Sequence, residues 1–377
     1  MEKETLNFNK LNLTKNKISM NKENKYLKLF LIILSFICIF LIIYIIINNY
    51  KQEKIIKKYI ILYEDIKNKN LESINNLKKE NIENINFEKN LLKLYVENRT
   101  AYYLEGRKKE MKLIGSSYND SNIITIQDKY NWLLIHDSPE NKTNMVDKIL
   151  LHDYSKKILG KDICVPIIKI FNSIDEIDID DLPDKFVLKC NHGSGMNILC
   201  KDKKKFNIKK AKRFLNKWMN INYGLKNHEY QYINVKKKVF VEKYLCDDIL
   251  DYKFYCFNGE PKFIRVQKHL KGKSIHNYYN LNFTLNEIET NMPIYIRRPD
   301  IKFPRPKHLD KMIEIAKKLS EEFIFVRVDL YEVNNTIYLG ELTFSSINVQ
   351  MPYKDRNQSE YLGSLLDIHK KSINNIN

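Results

Sequence analysis

Residues 325–344 read FVRVDLYEVNNTIYLGELTF, and this stretch decides the fold. Val326, Val328 and Leu330 alternate with Arg327, Asp329 and Tyr331, the period of a strand with one apolar face. A second run, Ile337 to Phe344, follows it, and Asn334-Asn335 between the two is a turn signal. The spacing predicts a β-hairpin whose register settles its chemistry. With a three-residue loop, Asn334 to Thr336, Asp329 lies opposite Glu341 and Arg327 opposite Thr343 on one face. A two-residue loop sends Glu341 to the other face. Two carboxylates directly opposite repel each other, and a divalent cation with oxygen ligands removes that repulsion, with Mg²⁺ the natural match. The bland alternative is a solvated hairpin with a single Arg–Asp pair.

Three further stretches lie upstream. In Phe186-Val187-Leu188-Lys189-Cys190-Asn191-His192-Gly193-Ser194-Gly195 an apolar strand ends in a lysine and runs into a small-residue loop. Gly193 and Gly195 let backbone N–H groups approach an anion, and Lys189 adds a point charge, a combination suited to polyphosphate. Gly-Ser-Gly is also an ordinary turn, and no P-loop pattern is present. In Val239-Phe240-Val241-Glu242-Lys243-Tyr244-Leu245 a strand ends in Glu-Lys, with Asp247, Asp248 and Asp251 beyond it. Strand-end backbone groups can read a nucleobase edge and a nearby carboxylate can take ribose hydroxyls, although solvated charges at a strand end look the same. Asp147-Lys148 is read as the opening of a helix that continues through His152, Tyr154 and Lys157 to Gly160.

Between these stretches, helical segments alternate with short apolar strands at Val165–Phe171, Phe186–Cys190, Val239–Val241, Tyr252–Phe257, Lys262–Val266, Ile324–Tyr331 and Ile337–Phe344. Asn258-Gly259 marks a hairpin turn. The mixture predicts an α/β or α+β enzyme domain.

In order and spacing these motifs resemble the ATP-grasp superfamily. Arg327-x-Asp329 with Glu341-x-Thr343 is similar to the metal-binding end of D-alanine–D-alanine ligases. More closely, LPDKFVLKCNHGSG, DYKFYCFNGEPKFI, FVRVDLYEVNNTIYLGELTF and Ile126–Asp137 leading to Asp147-Lys148 resemble the teichuronopeptide-biosynthesis-like ATP-grasp proteins of cell-surface polysaccharide clusters. The resemblance covers residues 123–367. It implies an ATP-grasp fold of two α+β subdomains and a carboxylate–amine ligase that forms an acyl phosphate, with ATP and Mg²⁺ as cofactors. Lys148 and Lys189 are then expected to hold ATP phosphates and Gly193, Ser194 and Gly195 to close over them. Glu242 and the backbone of Lys243, Tyr244 and Leu245 are expected to hold adenine, with Asp251 reaching ribose. Asp329, Glu341 and Thr343 are the expected metal ligands, and Arg327, with Lys189, the catalytic group. A phosphotransferase on the same fold, a glycosyltransferase-pathway protein and a non-catalytic nucleotide-binding membrane protein are the alternatives. Two departures stand out. Thr343 occupies the place of the family's third metal ligand, an asparagine, and Ser345–Gln350 replaces a Gly-rich loop that contacts the acceptor in related ligases. The carboxylate and amine substrates are unidentified, with a surface polymer or its precursor expected.

Residues 1–28 read as a polar tail. The uncharged run Leu29–Ile47, LFLIILSFICIFLIIYIII, is long enough to cross a hydrocarbon core of roughly 30 Å and predicts a transmembrane helix over 29–48 in contact with lipid. Lysines flank it on both sides, so charge leaves the orientation open. The need for ATP argues for a cytosolic catalytic domain on a single-pass membrane protein. A helical stalk is expected over 49–110, from the stripe Ile55, Tyr59, Leu62 and Ile66, with the catalytic region split into 111–185 and 186–377. The net charge of +18 comes almost wholly from lysine spread along the chain, so it does not argue for a nucleic-acid partner. Six cysteines without a C-x-x-C pair read as buried free thiols.

Overall fold

The computed structural model describes residues 122–137, 139–290, 295–345 and 352–369, together with 32–36, 65 and 72. The chain divides into two units, Met1–Asn90 and Leu91–Asn377. In the first unit the described positions, Ile32–Phe36, Asp65 and Glu72, are helical. The remainder of the expected tail, anchor and stalk lies outside the described residues. Among the described residues no helix is long and apolar enough to cross a membrane.

The second unit is α+β. Its smaller sheet has the spatial order β1 (Ile167–Phe171), β4 (Val239–Lys243), β2 (Phe186–Cys190), β3 (Asn197–Cys200), with every pairing antiparallel. Its larger sheet runs β10 (Thr336–Thr343), β9 (Phe325–Val333), β5 (Leu250–Phe257), β6 (Glu260–Leu270), β7 (Lys273–Tyr279), β8 (Tyr295–Arg297). The described helices are α1 (Ile126–His136), α2 (Thr143–Val146), α3 (Leu151–Leu159), α4 (Ile208–Met219), α5 (Tyr223–Asn227), α6 (Leu309–Ser320) and α7 (Arg356–Ser364). Strands β3, β7 and β8 are additional to those expected from the sequence. All are short, exposed or polar, so no apolar run announces them.

The decisive hairpin forms by a different route from the expected three-residue loop. Asn334 and Asn335 both take positive φ, 51° and 60°, which gives a two-residue turn pairing Val333 with Thr336. The register then shifts between Leu339 and Glu341, where Gly340 is the extra residue of a β-bulge. Asp329 therefore does face Glu341, and Arg327 faces Thr343. A side chain at Gly340 has no room: a Cβ there would stand 2.6 Å from the ring of Tyr331. Asn258-Gly259 joins β5 to β6 by the same kind of turn, with φ of 52° and 81°.

Alternation gives the larger sheet two unlike faces. Phe254, Cys256, Ile264, Val266, Val326, Val328 and Leu330 pack against Leu309, Met312, Ile315, Ala316 and Leu319 of α6. Each of those buried apolar side chains contributes about 1.5–3 kcal/mol, apart from the smaller Ala316 and Cys256. On the opposite face Tyr255, Phe257, Phe263, Tyr278 and Phe325 pack with α1 and α7. Beyond this aromatic part, the same face carries a row of charges, buried in the protein. The smaller sheet has its own core, in which Phe186, Leu188, Val239 and Val241 meet Ala211 and Leu215 of α4. The five described cysteines are free, and four of them are buried.

Candidate functional site

The charged row is built by cross-strand pairing. Glu341 opposes Asp329, Asp329 opposes Lys253, and Asp251 lies two residues before Lys253 on the same face. Asp329 is fully buried and makes both of its oxygens acceptors: Arg327 Nε donates to Oδ1 at 2.6 Å, while Arg327 Nη2 and Lys253 Nζ donate to Oδ2 at 2.7 and 2.6 Å. Arg327 Nη2 also reaches Glu341 Oε1 at 3.1 Å and Thr343 Oγ1 at 3.0 Å. Lys253 stands 3.1 Å from Asp251, which His269 Nε2 meets at 2.9 Å. The four residues Arg327, Asp329, Glu341 and Thr343 thus converge on one point.

Their charges are strongly coupled. Burial raises the Glu341 carboxyl, yet Lys148, Arg327 and Lys253 outweigh it and hold the group down at about 2. Burial also raises Asp251, and Lys253 and His269 outweigh it, leaving that carboxyl well below its usual range. At Asp329 burial wins over Arg327 and Lys253, so its carboxyl lies above the ordinary value. Lys253, pulled down by burial, is carried above its usual value by Asp251 and Asp329.

Lys148 connects this sheet to the smaller one. It does not open a helix as expected; Asp147 and Lys148 occupy the turn between α2 and α3. Asp147 Oδ1 accepts from the Ile149 backbone at 2.9 Å, and its Oδ2 from Asn191 Nδ2 at 2.9 Å. Lys148 Nζ donates to the Gly193 carbonyl at 2.6 Å. Burial lowers its ammonium, while Glu341 and Glu242 raise it and Lys189 adds to the lowering. Lys148 is therefore within electrostatic reach of both sheets.

On the smaller sheet Lys189 Nζ pairs with Glu242 Oε2 at 2.5 Å. The register places Leu199, Val187 and Glu242 on one face with Lys189, Phe240 and Ile170. Leu199 and Ile170 are exposed there, apolar surface beside an ion pair, which suits a nucleobase. Gly193 is packed so closely that a Cβ would meet Tyr223 at 2.6 Å, whereas Ser194 and Gly195 (φ 72°) form an exposed tip. Lys243 is exposed and its N–H already donates to the Pro166 carbonyl at 2.9 Å. Tyr244 donates to Asp247 at 2.6 Å, and Leu245 is half-buried in the connection from β4 to β5. Asp251 is buried on the larger sheet, paired with the buried Lys253 and the exposed His269, and not at this strand end.

A model of the TupA-like ATP-grasp family matches residues 128–367. The chain belongs to that family. Its ATP-grasp region is also similar to solved structures, at low identity. With D-alanine–D-alanine ligase from Bacillus anthracis complexed with ATP it shares 15% identity over 53% of this chain and 55% of that one, TM-score 0.32. With N5-carboxyaminoimidazole synthetase from Staphylococcus aureus complexed with ADP the values are 17%, 57%, 47% and 0.31. With L-amino acid ligase from Bacillus licheniformis they are 11%, 56%, 43% and 0.33. The chain thus spans about half the length of these structures. No curated protein matches it.

For an ATP-grasp protein the donor set fits Mg²⁺: Asp329, Glu341 and Thr343 offer hard oxygen atoms on one face. In this structure Arg327 holds all three. One other group of metal-capable side chains comes together among the described residues, His152, Asp162 and Cys164. Burial pushes the Cys164 thiol far up, so it is a poor ligand. Sequence reasoning missed Lys253 and Asn191. The sequence shows Asp251 and Lys253 alternating with aromatic residues, which reads as a solvent-facing row until the structure shows that the strand has no exposed face. Asn191 gave no signal. It joins the Asp147 carboxylate, the Lys236 carbonyl and the Lys238 N–H, at 2.9, 2.9 and 2.7 Å, and these partners lie far apart in sequence.

Proposed function

We propose that this protein is an ATP-dependent carboxylate–amine ligase acting at a membrane on a cell-surface polymer or its precursor. One observation carries the reading: Arg327, Asp329, Glu341 and Thr343 converge on a single point, while Lys148 is held on the Gly193 carbonyl of the small-residue loop. The terminal phosphoryl group of ATP passes to an oxygen of a substrate carboxylate, giving ADP and an acyl phosphate. An amine then attacks the acyl carbon, the C–O bond to phosphate breaks, and the amine loses a proton to give the amide. No side-chain nucleophile is required, so the work is positioning and charge stabilisation. Lys148 and Lys189 orient the phosphates, and Gly193, Ser194 and Gly195 cover them. Glu242 and the 243–245 backbone receive adenine. Asp329, Glu341 and Thr343 would hold Mg²⁺, which would neutralise phosphate charge. Arg327 stabilises the charge that develops on the transferring group. The apolar run Leu29–Ile47 supports a membrane anchor, and dependence on ATP supports a cytosolic catalytic domain.

Incubation with ATP, a cell-envelope fraction and hydroxylamine tests the reaction. The expected products are ADP, free phosphate and a hydroxamate, since hydroxylamine intercepts an acyl phosphate. Phosphate left covalently on the acceptor, with no hydroxamate, overturns the ligase reading in favour of a kinase. Release of AMP and pyrophosphate overturns both.

A further inference from the structure

The side chain of Arg265 is among the largest that are fully buried in this protein, at 1% exposure. It stands on the charged face of the larger sheet, opposite Lys253 on β5 and Tyr278 on β7. Asp329 lies two strands away, about 10 Å between backbones. Among the described residues no carboxylate forms an ion pair with Arg265, and neither Nε nor Nη2 meets a hydrogen-bond partner. Its neighbours are the Tyr255 and Tyr278 rings and hydroxyls, and the Tyr295 ring, 4.8 Å from the guanidinium carbon.

The unpartnered edge is specific. Nε and Nη2 form the fork with which Arg327 holds both oxygens of Asp329, and Arg298 uses the same edge on Asp300. Arg265 buries that edge without a hydrogen-bond partner among the described residues. A buried guanidinium is strongly disfavoured without an anion, and stacking on an aromatic ring offsets only part of the loss. Around it, Arg297 is paired through Nη1 with Glu289 at 2.9 Å and donates through Nη2 to the Asn286 carbonyl at 3.1 Å, which leaves only its Nε, and His276 Nε2 meets Thr290 Oγ1 at 3.4 Å. His276 is fully buried, with Nδ1 unpartnered, and both Arg265 and Arg297 act on it. Arg297 Nε and the Tyr278 hydroxyl are unpartnered and buried as well. Burial first, and then those two arginines, hold His276 down at about 3, so it is a neutral donor or acceptor and not a cation.

We propose that Arg265, with Tyr278, His276 and Arg297 around it, is a carboxylate-binding site that holds a non-reacting acidic group of the substrate. The substrate class is then polyacidic, with one carboxylate at the Arg327 centre and another on Arg265. The identity of that substrate rests on the ligase reading, whereas the binding site does not.

The test uses the full-length chain. Its melting temperature is followed while sodium acetate is titrated at constant ionic strength, with acetamide as the neutral control of similar shape and inorganic phosphate as a second anion. Acetate is expected to raise the midpoint by roughly 2–4 °C and acetamide to leave it unchanged. Arg265→Met should abolish the acetate shift and leave the acetate-free midpoint unchanged or higher, because an unpaired buried cation has gone. Arg265→Lys keeps the charge, loses the fork, and should lose most of the shift. The proposal is overturned if acetate acts equally on the wild type and the Met variant, if it acts on neither, or if only phosphate shows the Arg265-dependent shift. A Met variant that melts lower without acetate, beside a wild type indifferent to acetate, assigns Arg265 to structure alone. Hydroxamate formation is scored separately. Hydroxamate without an acetate shift sinks only the Arg265 site, and an acetate shift without hydroxamate sinks only the ligase reading.

Discussion

Asp329 and Glu341 face each other across β9 and β10 because Gly340 is bulged out between Leu339 and Glu341. Without the bulge the two-residue Asn334-Asn335 turn would carry Glu341 to the apolar face. Both the bulge and its glycine are therefore part of the site.

Gly340→Leu should destabilise the protein by about 1–3 kcal/mol, the usual scale for overpacking, since its Cβ would meet the Tyr331 ring at 2.6 Å. Thermal melting reads the loss. Combining it with Tyr331→Ala should recover part of it, and strict additivity of the two changes would refute the contact.

Nucleotide binding should divide along the two sheets. Lys189→Ala is expected to weaken ATP binding with or without Mg²⁺, having removed a phosphate contact. Asp329→Asn and Glu341→Gln should chiefly reduce the gain that Mg²⁺ confers. Calorimetric titration of each variant separates the two effects, and unchanged affinity in all three would show that the site lies elsewhere.

Arg327→Ala should slow the chemical step by roughly 10²–10³-fold, the scale for losing one preorganised charge stabiliser. ATP affinity should change far less, because the contact is strongest in the transition state. Single-turnover kinetics at saturating ATP distinguish this from a binding defect.

Acid stability should depend on Glu341. Its folded carboxyl, raised by burial but held down at about 2 by Lys148, Arg327 and Lys253, lies below the ordinary 4.5. A depressed carboxyl contributes stability that is complete above the ordinary value and is lost as pH falls from about 4.5 towards about 2. Asp251 is depressed too and adds to this slope, while the raised Asp329 opposes it. Glu341→Gln should therefore flatten the stability profile between pH 4.5 and 2 in denaturant titrations. An unchanged slope would mean that Glu341 is not held by those cations.

The run Leu29–Ile47 should keep the full-length chain in the membrane fraction through carbonate washing, and removal of residues 1–49 should release it. In intact cells external protease should leave the catalytic domain uncut. Cleavage there would reverse the proposed orientation.

Much of the larger sheet was legible because alternation is strong in its central strands. Val326, Val328 and Leu330 announce β9, and Tyr252, Phe254 and Cys256 announce β5. The edge strands β10 and β1 were legible too, but β8 and β3 were not, since β8 spans three half-buried residues and β3 has an exposed Leu199. At the site, Arg327, Asp329, Glu341 and Thr343 were found together because two adjacent strands carry them. The sequence left the loop open between three residues, which face Glu341 with Asp329, and two, which do not. The structure has the two-residue turn and yet the facing pair, through a glycine bulge that leaves no pattern different from ordinary strand. Arg265 and Lys253 escaped notice for a related reason. A charge in a strand reads as solvent-facing unless both faces of the sheet are known to be covered.

The Gly193–Gly195 loop is fixed at its base and exposed at its tip. Asn191 is tied on three sides, Gly193 is wedged against Tyr223 and held through its carbonyl by Lys148, while Ser194 and Gly195 project into solvent. Such a loop is a short cantilever. If it covers a phosphate as proposed, the movement belongs to the nanosecond-to-microsecond range of loop motion. Under the proposed function, nucleotide exchange then asks for movement of two exposed residues and not of the smaller sheet that carries Lys189.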